Sequence, residues 1–176
     1  FHPGVYLEHH NEIKNNQDPL AHFIRAECPE GPWKYETISE ENNHNQESIN
    51  EKIALHIHVF YPELLPEIIT RLHQNQIRPD LFISVPDNEK YELTLKIAGD
   101  YGGKVKKISK VPNRGRDIGP FITEFRQDII GNYDIIGHVH TKKTPGFEEN
   151  IINRWRIFLL ENLLGWSYTM ADKIIN

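Results

Sequence analysis

The segment KVPNRGRDIGPF, residues 110–121, places two arginines and an aspartate in a stretch rich in glycine and proline. Arg114 and Arg116 can form forked hydrogen bonds with phosphate oxygens, and Gly115 permits close approach of the backbone to a ligand. A helix that begins after Asp117 would present free N–H groups to the same anion. The segment therefore predicts a diphosphate-binding loop. A structural role is compatible with this, in which Asp117 caps the helix and pairs with one arginine.

The segment HVHTKK, residues 138–143, contains a second group of side chains that could do chemistry. Because side chains alternate along a strand, His138 and His140 would share one face, where two imidazoles can begin a metal site. A third ligand is not evident from the sequence, and buried or capping histidines explain the pair as well. The same holds for His56 and His58. We therefore predict no required metal ion, and a divalent metal is left open as the alternative.

Two lysines and two residues at other predicted strand ends complete the set of candidate ligand contacts. Lys142 and Lys143 could neutralise a phosphate directly, although solvated loop lysines would give the same sequence. Asp87, in the segment VPDN, could accept a hydrogen bond from a nucleobase or cap the helix that follows. Tyr61 could stack on a ligand, or belong to the hydrophobic core as an aromatic residue at a strand end.

Composition limits the classes of protein to which the chain can belong. A chain of 176 residues that is 38% hydrophobic can bury one sizeable core and a small appendage. Its net charge of −5 argues against a nucleic-acid partner and against attachment to anionic lipid by charge alone. Cys28 is the only cysteine, which excludes an intrachain disulfide and fits a reducing compartment. The sequence contains no apolar run of about 18 residues, so no membrane span is predicted.

The chain is predicted to contain a small helical segment, a linker and a main domain. Helices are expected over residues 5–13 and 18–27, the second with Asp18 as N-cap and Pro19 at its first position. We assign residues 1–38 to this helical segment. Residues 39–51 carry too little apolar surface to offset the entropy of ordering them, which predicts a polar linker. Residues 52–176 form the main domain, which we expect to be incomplete at its C terminus.

The main domain alternates between patterns typical of strands and of helices. Strand patterns rich in β-branched and aromatic residues cover residues 52–61, 80–85, 104–111 and 133–141. Helical apolar spacing covers 62–77, 88–103, 119–130 and 151–165, and a last helix begins near 167. This order implies right-handed crossovers and a mainly parallel sheet, so the predicted fold is α/β, a Rossmann-like three-layer sandwich. Ligands of such sheets bind beyond the carboxyl ends of the strands, where the candidate residues are expected.

Four segments resemble, in this order along the chain, the rhamnan synthesis F family: IALHIHVFYPELLPEIITRL, NRGRDIGPF, YDIIGHVHTKKT and RWRIFLLENLLG. Proteins of this family take part in bacterial cell-wall and surface-polysaccharide assembly and are thought to act as rhamnosyltransferases. The resemblance covers roughly residues 53–165. The N-terminal residues 1–33 also resemble a short helical repeat often found beside glycosyltransferase domains, although AECPEG replaces its usual glycine-containing turn.

The resemblance implies a glycosyltransferase fold of the A type, with dTDP-rhamnose or a related donor and a growing glycan or lipid-linked acceptor. Such enzymes generally carry an Asp-any-Asp metal motif at the end of the fourth strand, where this chain has HVHTKK. The departure makes basic side chains the expected stabilisers of the leaving diphosphate, without a required metal. On this interpretation the general base is Asp117 or a carboxylate outside these residues, and the donor contacts are Tyr61, Asp87, Asn113, Arg114, Arg116, His140, Lys142 and Lys143.

Two other functions stay open from the sequence alone. The missing Asp-any-Asp motif favours a noncatalytic carbohydrate- or protein-interaction module of a polysaccharide-assembly enzyme. A metal-dependent hydrolase that uses the four histidines is a third hypothesis, and it would hold a stoichiometric metal ion. For the transferase we expect a cytoplasmic location at the inner face of the cell membrane, with peripheral association through the complete protein.

Overall fold

The computed structural model describes residues 1–13, 16–34, 38, 50–143 and 148–175. The chain divides into two compact units, Phe1–Ser39 and Glu40–Asn176. The polar linker predicted for residues 39–51 lies, apart from Asn50 and Glu51, outside the described residues.

The N-terminal unit contains two short helices, α1 (Pro3–His9) and α2 (Pro19–Arg25). Asp18 caps α2 as the sequence predicts, because its carboxylate accepts a hydrogen bond from the Leu20 N–H at 2.9 Å. Tyr6, Ile13 and Phe23 form the buried core of the unit. Apolar spacing and a recognisable cap were therefore sufficient to identify both helices from the sequence.

The second unit contains a four-stranded sheet in which every described pair of strands is parallel. Its strands are β1 (Ile53–His58), β2 (Asp80–Val85), β3 (Val105–Lys110) and β4 (Ile135–His140), arranged in the order β3-β2-β1-β4. The predicted α/β, Rossmann-like fold is confirmed. The parallel arrangement brings the carboxyl ends of all four strands to one edge of the sheet.

Helices connect the strands and follow the last of them. A 3-10 turn (Pro62–Leu64) leads into α3 (Leu65–Gln74), and α4 spans Asn88–Ala98. Between β3 and β4 the predicted single helix over residues 119–130 is wrong, because the structure has α5 (Ile118–Glu124) and α6 (Arg126–Ile129) separated at Phe125. Two helices follow β4, namely α7 (Glu149–Leu164) and α8 (Met170–Ile175).

Hydrophobic side chains pack on both faces of the sheet, which gives the three layers. On one face, Leu55, Ile57 and Val59 and their neighbours on β2 and β4 pack with buried residues of α3, α4 and α7. On the other face, a smaller core packs α5 and α6 against the sheet and consists of Ala54, Phe82, Phe125 and Ile129. Full burial of a side chain of this size contributes roughly 1.5–3 kcal/mol of stability, so these two cores fix the positions of the strands.

The second face becomes polar towards the carboxyl ends of the strands. Strand alternation places His56 on the same face as Ala54, and the parallel register pairs His56 with His138 and His58 with His140. Ser84 of β2 pairs with His58 from the other side. The sheet therefore presents a row of histidine and serine side chains immediately below its carboxyl edge.

Candidate ligand-binding site at the carboxyl edge of the sheet

The topology marks one place at this edge where a ligand is expected. The crossovers from β1 to β2 and from β2 to β3 run in one direction, and β4 lies on the opposite side of β1. Open α/β sheets bind ligands at such a switch point, in the crevice beyond the carboxyl ends of the two diverging strands. Here those strands are β1 and β4, which carry the four histidines.

Asp117 contacts both histidines of β4. One oxygen, Oδ2, lies 3.1 Å from His138 Nε2 and 3.2 Å from His140 Nδ1. Burial disfavours the ionised carboxyl group, but the hydrogen bond with His138 and the charge of His140 outweigh it and lower the pKa of Asp117. The carboxyl group makes no capping hydrogen bond to α5, so the capping role considered for Asp117 is not supported. Its side chain is directed at β4 instead.

A buried chain of hydrogen bonds continues from His138 into the sheet. His138 Nδ1 lies 2.9 Å from His56 Nδ1, and His56 Nε2 lies 3.0 Å from Ser84 Oγ. The same serine oxygen lies 2.8 Å from His58 Nδ1. The pKa of His56 is lowered to about 3, mainly by burial, so His56 is uncharged at neutral pH. The chain therefore fixes the orientation of four side chains and contains an uncharged histidine at its centre.

The loop between β3 and α5 is held in a tight conformation by two glycines. Gly115 has a φ of +73°, and a Cβ atom on it would lie 2.8 Å from the Cα atom of Gly119. The Gly119 N–H donates to the Gly115 carbonyl oxygen at 2.8 Å, which closes the turn. Arg116 also has a positive φ, of +55°, which is unusual for a residue with a side chain. The loop is thus a defined structure, in which Asn113, Arg114 and Arg116 are exposed.

The loops that follow β3 and β4 carry exposed cationic side chains. Within the described residues, Arg114, Arg116 and Lys142 are exposed and have no ion pair. Burial is the main cause of the lowered pKa of His140; Asp117 opposes it, and the charges of His138, Lys142 and Arg116 add to it. Lys142 and Arg116 therefore act on the same imidazole. α5, whose free N–H groups are predicted to face the anion, begins at Ile118, directly after this loop.

Thr141 joins the loops that follow β1 and β4. Its Oγ1 atom accepts hydrogen bonds from the backbone N–H groups of Phe60 and Tyr61, at 3.0 Å and 2.9 Å. In the same place Lys143 forms an ion pair with Glu63, and its ammonium group lies 5.3 Å from the centre of the Tyr61 ring. Lys143 and Tyr61 thus contact each other and are less available to a ligand than Lys142.

Asp87 follows β2 and acts as the N-cap of α4. Its side chain accepts a hydrogen bond from the Lys90 backbone N–H at 2.9 Å and pairs with the Lys90 ammonium at 2.9 Å. These contacts bear out the capping alternative. Lys90 in turn lies 4.6 Å from the centre of the Phe60 ring, which links the loops after β1 and β2. Asp87 is exposed.

A groove of about 660 Å³ borders the histidines between β4 and α7. Trp155 lines its α7 side, and the exposed Trp155 ring stacks on the exposed ring of Phe158 next to the groove, with 5.9 Å between ring centres and 24° between planes. The groove combines an apolar wall with polar groups at one end, and its lining includes His138, His140, Lys142, Trp155, Arg156 and Leu159. Such a combination suits a ligand with both polar and apolar surface.

Ser84 and Thr141 were not identified from the sequence, although each has a structural part in the site. Single hydroxyl residues carry no signal by themselves. The signal that could have been used is the His-any-His spacing in two strands, at 56 and 58 and at 138 and 140. If two such strands lie side by side in register, their histidines must meet, and the side chains on the next strand must satisfy them.

The structure is a Rossmann-like α/β domain with a candidate ligand site at its switch point. The family model of rhamnan synthesis protein F matches residues 19–176, and the chain belongs to this family. The resemblance found in the four sequence segments is therefore confirmed. No curated protein and no solved structure matches the chain. Among the described helices, none has the length and apolar character needed to cross a membrane.

Proposed function

We propose that this member of the rhamnan synthesis protein F family is a glycosyltransferase. It would transfer a sugar, rhamnose by preference, from a nucleoside-diphosphate donor to a growing cell-surface polysaccharide. Family membership supports the role in rhamnan synthesis. The observation that carries the proposal of transfer is a set of three exposed cationic side chains that have no ion pair among the described residues, Arg114, Arg116 and Lys142, in loops that follow strands of the parallel sheet at its carboxyl edge.

The developing charge on the departing diphosphate explains why such residues are needed. When the bond between sugar and phosphate breaks, negative charge accumulates on the phosphate oxygens, and cations already in position lower the energy of that state. Arg114 and Arg116 are suited to this task, because a guanidinium can donate two parallel hydrogen bonds to one phosphate. Lys142 would supply a third positive charge from the neighbouring loop.

The other predicted donor contacts would each bind a different part of the donor or shape the wall of the site. Asn113 is exposed in the same loop as the arginines and would bind the donor beside them. Asp87 would contact the ribose or base with the oxygen atoms that its cap leaves accessible. Tyr61 and Lys143 would contribute to the wall of the site, because they already contact each other and Glu63.

Asp117, predicted as the general base, is better suited to holding a cation. A catalytic base works best when its pKa lies near the working pH. The pKa of Asp117 is lowered below its usual value, and one oxygen is held between two imidazoles. His140 is partly exposed and lies beside Asp117, so it would contact the donor or acceptor from the same position.

Calorimetric titration with dTDP, UDP and GDP, in the presence and absence of Mn²⁺, tests the proposal. We expect one nucleotide to bind per chain, and the double variant Arg114→Ala, Arg116→Ala to bind at least tenfold more weakly. Loss of even one hydrogen bond to a charged group costs about 1.5–3 kcal/mol, and 1.4 kcal/mol corresponds to tenfold. The double variant Arg126→Ala, Arg154→Ala removes the same charge from exposed positions elsewhere and should bind normally.

The proposal fails if none of the three nucleotides binds, or if the double variant at 114 and 116 loses stability but keeps its affinity. Both arginines are exposed, so their removal should change the free energy of unfolding by less than about 0.5 kcal/mol each. The loop would then be structural, and the cations would have another role.

The stacked, exposed rings of Trp155 and Phe158 favour a second candidate function, binding of carbohydrate without transfer. Aromatic faces provide flat apolar surface beside polar groups, which is what the two faces of a sugar ring need. In the transferase the same groove would receive the glycan or lipid-linked acceptor, at the inner face of the membrane. Binding of glycan with no binding of any nucleotide would select the second function.

A further inference from the structure

Asp117, His138 and His140 are arranged as the ligands of a metal ion are arranged. Their candidate ligand atoms, one per residue, all lie within 4.8 Å of one another. Ligand atoms bound at about 2.0–2.2 Å to a common metal ion lie roughly 3.0–3.6 Å apart. The two distances from Asp117 Oδ2 to the imidazole nitrogens, 3.1 Å and 3.2 Å, fall within this range. We propose that these three residues bind a divalent transition-metal ion at the carboxyl edge of the sheet.

The buried chain behind His138 is independent support for this proposal. A histidine that binds a metal through one ring nitrogen usually has the other nitrogen held by a hydrogen bond, which orients the ring. Here His138 Nδ1 contacts His56, and His56 contacts Ser84, at 2.9 Å and 3.0 Å. Both His56 and Ser84 are fully buried. The structure thus supplies a rigid second layer behind one of the three ligands.

The protons of this chain can be arranged in one direction that leaves a lone pair of His138 facing Asp117. In that direction His138 donates from Nδ1 to His56, His56 donates from Nε2 to Ser84, and Ser84 donates to His58. His138 Nε2 then carries a lone pair directed at Asp117 Oδ2, and the two would repel. A metal ion between them removes the repulsion. In the opposite direction, His138 donates from Nε2 to Asp117 Oδ2.

The ligand types indicate which metals fit. Two imidazoles and one carboxylate suit Zn²⁺, Co²⁺, Mn²⁺ or Fe²⁺, whereas Mg²⁺ prefers oxygen ligands alone. Three protein ligands leave further coordination positions open to oxygen atoms of a bound molecule. Because Arg116 and Lys142 act electrostatically on His140, an anionic molecule is favoured there. That the anion is the donor diphosphate rests on the proposed function, but binding of the metal itself does not.

Titration of the metal-free chain with Co²⁺ tests the proposal directly. Co²⁺ bound at a low coordination number has characteristic visible absorption. Its binding, and the effect of each ligand, can therefore be measured without any assay of activity. We expect one equivalent of Co²⁺ to bind, Zn²⁺ to displace it, and Mg²⁺ to leave it in place. The variants Asp117→Asn, His138→Ala and His140→Ala should each bind Co²⁺ at least 100-fold more weakly.

Two further variants separate the site from other histidines and from a folding defect. His73→Ala removes an exposed histidine of α3 and should leave Co²⁺ affinity unchanged. Ser84→Ala changes no ligand but removes the partner of His56, and should weaken Co²⁺ binding by about tenfold to 100-fold while the stoichiometry stays at one. Unfolding curves show whether each variant is folded, and Asp117→Asn preserves shape if the alanine variants do not fold.

The proposal is overturned if the wild-type chain binds no stoichiometric Co²⁺ or Zn²⁺, or if folded Asp117→Asn binds as tightly as wild type. Both titrations are made without nucleotide, and nucleotide binding is measured separately without metal. A chain that binds metal but no nucleotide would support the metal site and contradict the transferase, and the reverse result would do the opposite.

Discussion

At the scale of single residues, Arg116 combines an exposed charge with an unfavourable backbone conformation. Its φ of +55° places it in the left-handed region, where residues other than glycine pay roughly 1–2 kcal/mol. Its neighbour Gly115 adopts a similar φ without that cost. An arginine in a backbone conformation that favours glycine is strained, and such local strain is typical of binding sites.

This strain predicts different stabilities for two substitutions at position 116. Arg116→Ala keeps the strained backbone, whereas Arg116→Gly relieves the strain. Glycine also increases the conformational entropy of the unfolded chain, which cancels part of that stabilisation. We expect Arg116→Gly to be more stable than Arg116→Ala by up to about 1 kcal/mol in urea unfolding, and both to lose nucleotide affinity to the same extent. An alanine variant as stable as the glycine variant would show that the backbone there is unstrained.

The contacts of Asp117 could not be predicted from the sequence, whereas those of Asp87 could. A capping role was a sound alternative, since aspartate before a helix often caps it. The contacts with His138 and His140 depend on where the β3–α5 loop places residue 117 relative to β4, which spacing along the chain does not give. Asp87, in contrast, caps α4 through a residue three positions away, so local sequence was enough.

At the scale of elements, α8 is attached to the end of α3 by a buried carboxylate. Asp172 is 4% exposed and accepts hydrogen bonds from the backbone N–H groups of Gln76 and Ile77, at 2.7 Å and 2.9 Å. The Asp172 N–H donates to the side chain of Asn75. These bonds satisfy the N–H groups of two residues that follow α3 and lie outside its own hydrogen bonds.

Asp172→Ala is therefore expected to destabilise the fold by about 2–4 kcal/mol, because two backbone donors lose a charged acceptor in a buried place. Urea unfolding measures the loss, and the exposed substitution Glu92→Ala on α4 is the control, with an expected change within about 0.5 kcal/mol. Nucleotide affinity of the folded protein should not change, since α8 lies away from the carboxyl edge. A change below 1 kcal/mol for Asp172→Ala would contradict this account of how α8 is held.

The elements also differ in how well the sequence predicts them. All four strands were located to within a few residues. For β1 and β2, which are buried at five of six positions, the reason is that a buried parallel strand needs apolar side chains almost throughout. The break between α5 and α6 was missed, because the apolar spacing continues through it. Phe125, at the break, is fully buried and packs against Phe82 and His56. Packing of this one ring against the sheet, which local sequence does not specify, sets the position of the break.

At the scale of the whole α/β unit, the strand order converts separate sequence segments into one site. The alternation of strands and helices was enough to predict a parallel sheet and to assign the candidate residues to its carboxyl edge. It was not enough to predict the order β3-β2-β1-β4, which puts β1 beside β4. Only this neighbourhood joins His56 to His138 and gives the buried chain that connects Ser84 with Asp117.

We propose above all that the edge formed by β1 and β4 binds the nucleotide-sugar donor. NMR spectra of the histidine side chains, recorded while dTDP-rhamnose is added, test this most directly, because histidines lie both inside and outside the site. We predict saturable shifts for His138 and His140, with no shift for the exposed His9 and His73. Unchanged His138 and His140 resonances at donor concentrations that saturate binding, or changes confined to His9 and His73, would contradict the claim.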